Sequence, residues 1–296
     1  MQLRISKKKL TPYLFIAPSI VILLVFSIIP IFISAYLAMV DFKVINPAAS
    51  EFVGLANFRK LFHDPFVREA LLNTFQYSLT SVIPGLALSL AFALIVTEDW
   101  FRLQKLFRAV TFIPYILSMT ICAMVWSWLY SPTLGLFNYV LSALGLSTQK
   151  FLGDPRTAMN CIVVMVIWKG LGYNVTIWSA GLLSLPMEHR EAARIDGANW
   201  MQEFWYVRLP QLKPVMIFLT VLGFIGSFQS FDAIYMMTNG GPMRSTQVIV
   251  YYLSRNTSRR ASPLPEPKAE TSATDKSRRL LHAETTMDPP LRRIGI

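Results

Sequence analysis

Apolar residues gather into five long runs separated by short polar segments: approximately Leu14–Val40, Asn73–Val96, Val110–Tyr130, Ala158–Leu185 and Val215–Thr238. About 20 helical residues, at 1.5 Å each, cross about 30 Å of hydrocarbon, so each run is long enough to span. The first run also exceeds the apolar core of a secretory signal, about 7–15 residues, and reads as an uncleaved helix. Pro30, Pro84-Gly85, Pro114 and Gly170 interrupt the runs. Inside a membrane bundle such breaks are tolerated where neighbouring helices or water satisfy the freed backbone groups. The pattern predicts an all-α, polytopic transmembrane bundle of five spans. A shorter apolar-periodic patch, Leu136–Leu146, predicts a helix lying against one surface.

The polar segment at about 186–214 differs from the other connections. Glu188, Glu191, Ala192, Ala193 and Arg194 are mostly good helix formers, and Gly197 follows as a turn residue. Asn199 is placed to cap a second helix, in which Trp200, Phe204 and Val207 share one stripe; Pro210 and Pro214 are expected to end it. On these residues alone the segment is a helix–turn–helix at a membrane face. Two uses stay open: an amphipathic hairpin at headgroup level, or a docking surface on which the paired alanines let another protein approach.

Composition agrees with a membrane protein: 53% of the 296 residues are hydrophobic, 15% are charged and mean hydropathy is +0.44. The formal net charge of +11 lies in inter-span segments and the C-terminal tail, not in a stripe that would suit nucleic acid. Orientation follows from the loops. Eleven Lys and Arg fall in the N-terminal arm (1–13), the Glu98–Arg108 loop and the 186–214 segment, against seven in the opposite loops before the tail. The N-terminus and the Glu191 segment are therefore expected in the cytoplasm.

From Ser254 to Ile296 the composition turns to Ser, Thr, Pro, Arg and Glu, which predicts a disordered tail after a membrane-spanning region at 14–253. Five spans from a cytoplasmic start would put this basic tail outside, against the charge rule.

Candidate chemistry is sparse. Cys122 and Cys161 lie in apolar stretches as small hydrophobes, and His63, His189 and His282 have no metal-ligand spacing. No Gly-Lys pair exists to build a phosphate-binding P-loop, and no Gly-x-Ser-x-Gly elbow occurs. No catalytic residue, metal site or bound cofactor is expected. Lys169 and Asp232 are ionisable residues inside spans, where a charge costs at least roughly 2.5 kcal/mol. Both could face a polar pathway, with Trp168, Tyr173 and Tyr235 nearby to stack on a solute's apolar face; alternatively each pairs with the other or with backbone.

The order Glu191-Ala192-Ala193, Gly197, Leu209-Pro210 resembles the EAA signature of ABC-importer permeases. Trp168-Lys169-Gly170-Leu171-Gly172-Tyr173, Phe231-Asp232-Ala233-Ile234-Tyr235 and Thr238-Asn239-Gly240-Gly241-Pro242 resemble its sugar-type branch, which takes up maltose, glycerol-3-phosphate and multiple sugars. The resemblance covers about 11–253. It implies that Glu191, Ala192, Ala193, Asp196 and Gly197 meet an ATPase subunit and that ATP is used there. It also implies a second permease, an extracytoplasmic solute-binding protein and a bacterial inner-membrane location. The family usually has six spans, and here a polar tail stands where the last apolar helix belongs, so a truncated or frame-shifted end is the expectation. Two rival readings accompany this one: an ion-coupled secondary transporter, and a non-functional truncated permease or membrane anchor.

Overall fold

A computed structural model describes residues 7–43, 46, 50–98 and 100–261. The chain divides into two units, Met1–Ser254 and Arg255–Ile296, and the first holds every element before the last helix. It opens with α1 (Lys7–Leu23), a π-helical turn at Leu24–Ile28 and α2 (Ile29–Ala38), of which Phe15–Ala38 is one apolar stretch of spanning length. None of that window is buried by the rest of the described chain. A minimal antiparallel pair, β1 (Val40–Asp41) with β2 (Glu51–Phe52), closes the next loop, and α3 (Ala56–His63) follows.

The central helix is α4 (Pro65–Val96), which starts earlier than the apolar run because Asp64 and Pro65 give a strong start signal and the charged pair Arg68-Glu69 sits within its first turns. The Asp64 side chain accepts from the Phe66 amide at 2.9 Å, and Pro65 occupies the first turn, where its missing N–H is harmless. One face of α4 carries Thr74, Ser78, Ser81, Gly85, Ser89 and Ala93, all buried. In lipid no hydrophobic drive separates helix from tail, so close packing through small residues holds such a face. Its main neighbour is α8 (Ala158–Leu183), with α12 (Lys213–Phe228) beside it.

Two expected spans are broken. The third consists of α5 (Gln104–Ile116) and α6 (Met119–Leu129), meeting at 99°. Pro114 weakens the last turn of α5, Leu117 is extended, and the Ser118 hydroxyl caps α6 by accepting from Ile121. The fifth ends as α12 at Phe228 and resumes as α13 (Asp232–Thr238) after Gln229–Phe231. Between the third and fourth spans lie α7 (Leu136–Ala143), in the expected place of the surface helix, and a short 3-10 turn at Phe151–Gly153.

After α13 the chain reverses at Asn239 and Gly240, both left-handed (φ 52° and 77°), and Tyr251 donates to the Asn239 carbonyl at 2.8 Å. This turn is the work done by the Thr238–Pro242 stretch. The final helix, α14 (Ile249–Ala261), continues past Ser254, so the polar composition begins inside a helix. The disorder expected from Ser254 onward does not hold for Ser254–Ala261, which are helical; the tail beyond Ala261, with the rest of that expectation and the expected truncated end, lies outside the described residues.

Two apolar clusters hold the bundle. One gathers Tyr77, Trp126, Tyr130, Ile162, Met165 and Ile234; the other gathers Leu94, Val175, Trp178, Phe204, Leu212 and Leu219.

Candidate functional site: an exposed hairpin and a central cavity

The segment after α8 is a hairpin. Its first limb, α9 (Met187–Ile195), ends in a Schellman cap: Ala198 N–H donates to the Ala193 carbonyl at 2.9 Å and Gly197 N–H to that of Arg194 at 3.1 Å. Gly197 is left-handed at φ +82°, with nothing within 4 Å of where a Cβ would be. The second limb opens with α10 (Trp200–Gln202), where Asn199 and Gln202 form a reciprocal capping box. It passes through a π-helical turn, Glu203–Arg208, into α11 (Leu209–Gln211). Pro210 thus sits in the first turn of α11 and does not end the helix; the chain bends by 67° before Lys213–Phe228.

The π turn explains what α-helical spacing hides. Residues five apart stand side by side there, so Arg208 lies over Glu203 and donates from Nε to its carboxylate at 2.7 Å. Arg190 and Arg194, one turn apart on α9, donate from Nε to the same carboxylate at 2.9 and 3.1 Å. Arg208 also donates from Nη1 to Glu98, just past α4, at 2.9 Å. Glu203 and Arg208 are 2% and 3% exposed, so this is a buried ion network. Burial alone would raise the Glu203 carboxyl; the hydrogen bonds from Arg190, Arg208 and Arg194 outweigh it and pull it down to about 2. The network locks both limbs together and ties them to the end of α4. Glu191, Ala192, Asp196 and Gly197 remain exposed on the outer limb, with Ala193 half-buried.

Away from the hairpin, a cavity of about 570 Å³ opens among α4, α5, α6, α8, α12 and α13. Its polar lining includes Tyr77, Ser81, Tyr115, Tyr173, Asn174, Ser227, Gln229, Ser230 and Asp232. Such mixed lining suits a polar solute with apolar faces. The Tyr77 and Ser230 hydroxyls bond across it at 3.0 Å, and Ser227 donates to Ser78 at 2.8 Å. The two helix breaks lie at this cavity: Tyr115 and Met119 flank the first, Gln229–Asp232 span the second.

Of the residues expected on a pathway, Tyr173 and Asp232 line the cavity. Trp168 instead packs on Trp126, with ring centroids 5.4 Å apart. Tyr235 stacks on Phe231, itself a lining residue, at 5.3 Å. Lys169 neither lines the cavity nor pairs with Asp232; its ammonium donates to the carbonyls of Pro114, Tyr115 and Leu117 at 3.2, 3.0 and 2.7 Å. Sequence reasoning missed Glu98, Glu203, Arg208 and most of the cavity polar groups. The available signal for the cavity was the small-residue face of α4, which marks where a helix is closely approached.

Residues 85–260 match the family described as binding-protein-dependent transport system inner membrane component. The chain belongs to that family. It is 34% identical over 255 residues to a probable ABC transporter permease protein, YurN, of Bacillus subtilis, covering 85% of this chain and 87% of that one. It is 35% identical over 240 residues to the trehalose/maltose transport system permease protein MalF of Thermococcus litoralis, covering 80% of each. It is also 31% identical over 254 residues to the sn-glycerol-3-phosphate transport system permease protein UgpA of Escherichia coli, covering 85% and 84%. A solved bacterial ABC transporter for the acidic polysaccharide alginate superposes with TM-score 0.74 at 25% identity, over 86% of each chain.

This permease is therefore a multi-pass inner-membrane transport component, not an enzyme, and the ion-coupled reading gives way. The EAA resemblance found its family.

Proposed function

We propose that this permease imports a sugar or sugar-like solute by alternating access, driven by ATP that separate ATPase subunits bind and hydrolyse. The reading rests above all on the exposed hairpin, rigid within itself and linked to α4 by the Arg208–Glu98 contact. In this scheme Glu191, Ala192, Ala193, Asp196 and Gly197 meet the ATPase from the cytoplasm, where the N-terminus also lies. Closure of the paired ATPases pushes the hairpin, and the ion network passes the displacement to α4 and α12. The cavity then turns toward a solute-binding protein outside.

A second, related permease completes the pathway. Tyr173, Tyr115 and Asp232, with the cavity hydroxyls, would contact the solute; aromatic faces stack on the apolar side of a sugar ring while hydroxyl and amide groups exchange hydrogen bonds with its rim. Relatives named for arabinooligosaccharides, trehalose/maltose and glycerol-3-phosphate support that solute class.

The test is import into proteoliposomes holding the complete complex. Uptake of a labelled oligosaccharide that requires both ATP and the binding protein is expected. Uptake that runs without ATP and collapses with the proton gradient would contradict the reading.

A further inference from the structure

Lys169 is the only described Lys or Arg placed well inside α8, and all three of its N–H donors are spent on backbone carbonyls. An ammonium has three donors and no acceptor, so Pro114, Tyr115 and Leu117 saturate it. Those carbonyls belong to the C-terminal end of α5 and its cap residue Leu117, where the chain turns through 99° into α6. A helix C-terminus leaves its last carbonyls without intrahelical partners, and in a membrane each one is costly. A cation there satisfies them and also complements the helix dipole. The lysine thus caps a bend that the α5 backbone cannot cap itself.

The surrounding residues of α8 fit the same task. Gly172 faces the α5 backbone so closely that a Cβ would lie 2.1 Å from the Thr111 carbonyl oxygen. Tyr173, one turn beyond Lys169, stacks on the Tyr115 ring at 4.8 Å with planes 16° apart. The Lys169 ammonium lies 5.6 Å from the centroid of that same ring. Trp168 holds the other arm of the bend through Trp126. The stretch from Trp168 to Tyr173 is therefore a clamp on the broken third span, and the side chain it orients, Tyr115, forms part of the cavity wall.

We propose that Lys169 is a positioning residue for translocation: by binding the carbonyls at the α5–α6 bend it fixes Tyr115 in the wall of the central cavity. The functional half of this statement rests on the transport reading above; the structural half does not. Two measurements separate them.

The first uses the complete complex with Cys122 and Cys161 replaced by Ala and spin labels at positions 105 and 128, one on each arm of the bend. The wild-type sequence at 169 gives a narrow distance distribution. Lys169→Met broadens or shifts it, and Lys169→Arg, which keeps the donors, restores it. An unchanged narrow distribution in Lys169→Met overturns the proposal whatever the transport result.

The second measures solute imported per ATP hydrolysed in proteoliposomes. Lys169→Met lowers that ratio by about fivefold or more, Lys169→Arg recovers most of it, and in a Tyr115→Ala background Lys169→Met changes it less than about twofold. A mere loss of folded complex lowers import and hydrolysis together and leaves the ratio fixed, which overturns the proposal. Multiplying effects of the two substitutions also overturn it. Lys169→Gln, which retains two donors, is measured in parallel so that both experiments can be read if the Met variant does not assemble.

Discussion

Arg208 and Glu98 meet at 2.9 Å, although 110 positions separate them, and the contact joins the hairpin to the end of the central helix α4. Arg208 is 3% exposed and shares itself between Glu98 and Glu203. Removing it takes one of three guanidinium partners from the buried Glu203, a loss below the roughly 3–5 kcal/mol of a buried charge left unpaired. Arg208→Met should release the hairpin: amide exchange across α9–α11 should rise by at least about tenfold, while α8 exchanges as before. Glu98→Gln, which keeps a hydrogen-bond acceptor for Arg208, should give a smaller rise.

The same network predicts a pH response. Glu203 titrates at about 2 in the folded hairpin, below its ordinary 4.5. A depressed carboxyl contributes stability that is fully present above the unfolded value and is lost as pH falls toward the folded one. Protease resistance of the hairpin in detergent should therefore hold from pH 7 to about 5 and decline between about 4.5 and 2. In Glu203→Gln, resistance should be low already at pH 7, and this acid decline should be absent.

Two glycines of the family-like motifs should fail for different reasons. Gly172→Ala forces a Cβ against the Thr111 carbonyl, and backbone cannot step aside, so a loss of about 3 kcal/mol and a sharp fall in purified yield are expected. Gly197→Ala meets no neighbouring atom and carries only the strain of its left-handed backbone, about 1 kcal/mol. Thermal melting of the two variants should rank them in that order. Equal melting temperatures would contradict the close α5–α8 approach.

Much of the bundle was legible because spanning runs, end caps and turn residues are local signals. The caps at Asn199 and Gly197 were readable as the structure has them, and the surface helix Leu136–Ala143 fell where its apolar period put it. The breaks were not. Pro114 suggests a kink, but a 99° turn also draws on Lys169, from another helix, whose ammonium meets the carbonyls at the bend. Glu203 and Arg208 escaped notice because a π turn pairs residues five apart, where α-helical reasoning looks three or four away. The cavity polar groups come from five helices and the link between α12 and α13, and hydropathy along one chain does not show which faces will meet.

The protruding hairpin is the point at which force would enter the permease, so its contact is the measurement that matters most. A photo-crosslinking residue placed at position 192, in membranes carrying the complete importer, should capture an ATPase subunit, with the yield changing between nucleotide-free and ATP-bound states. Capture of no ATPase in either state, or labelling of position 192 by a membrane-impermeant reagent added outside intact cells, would contradict the account.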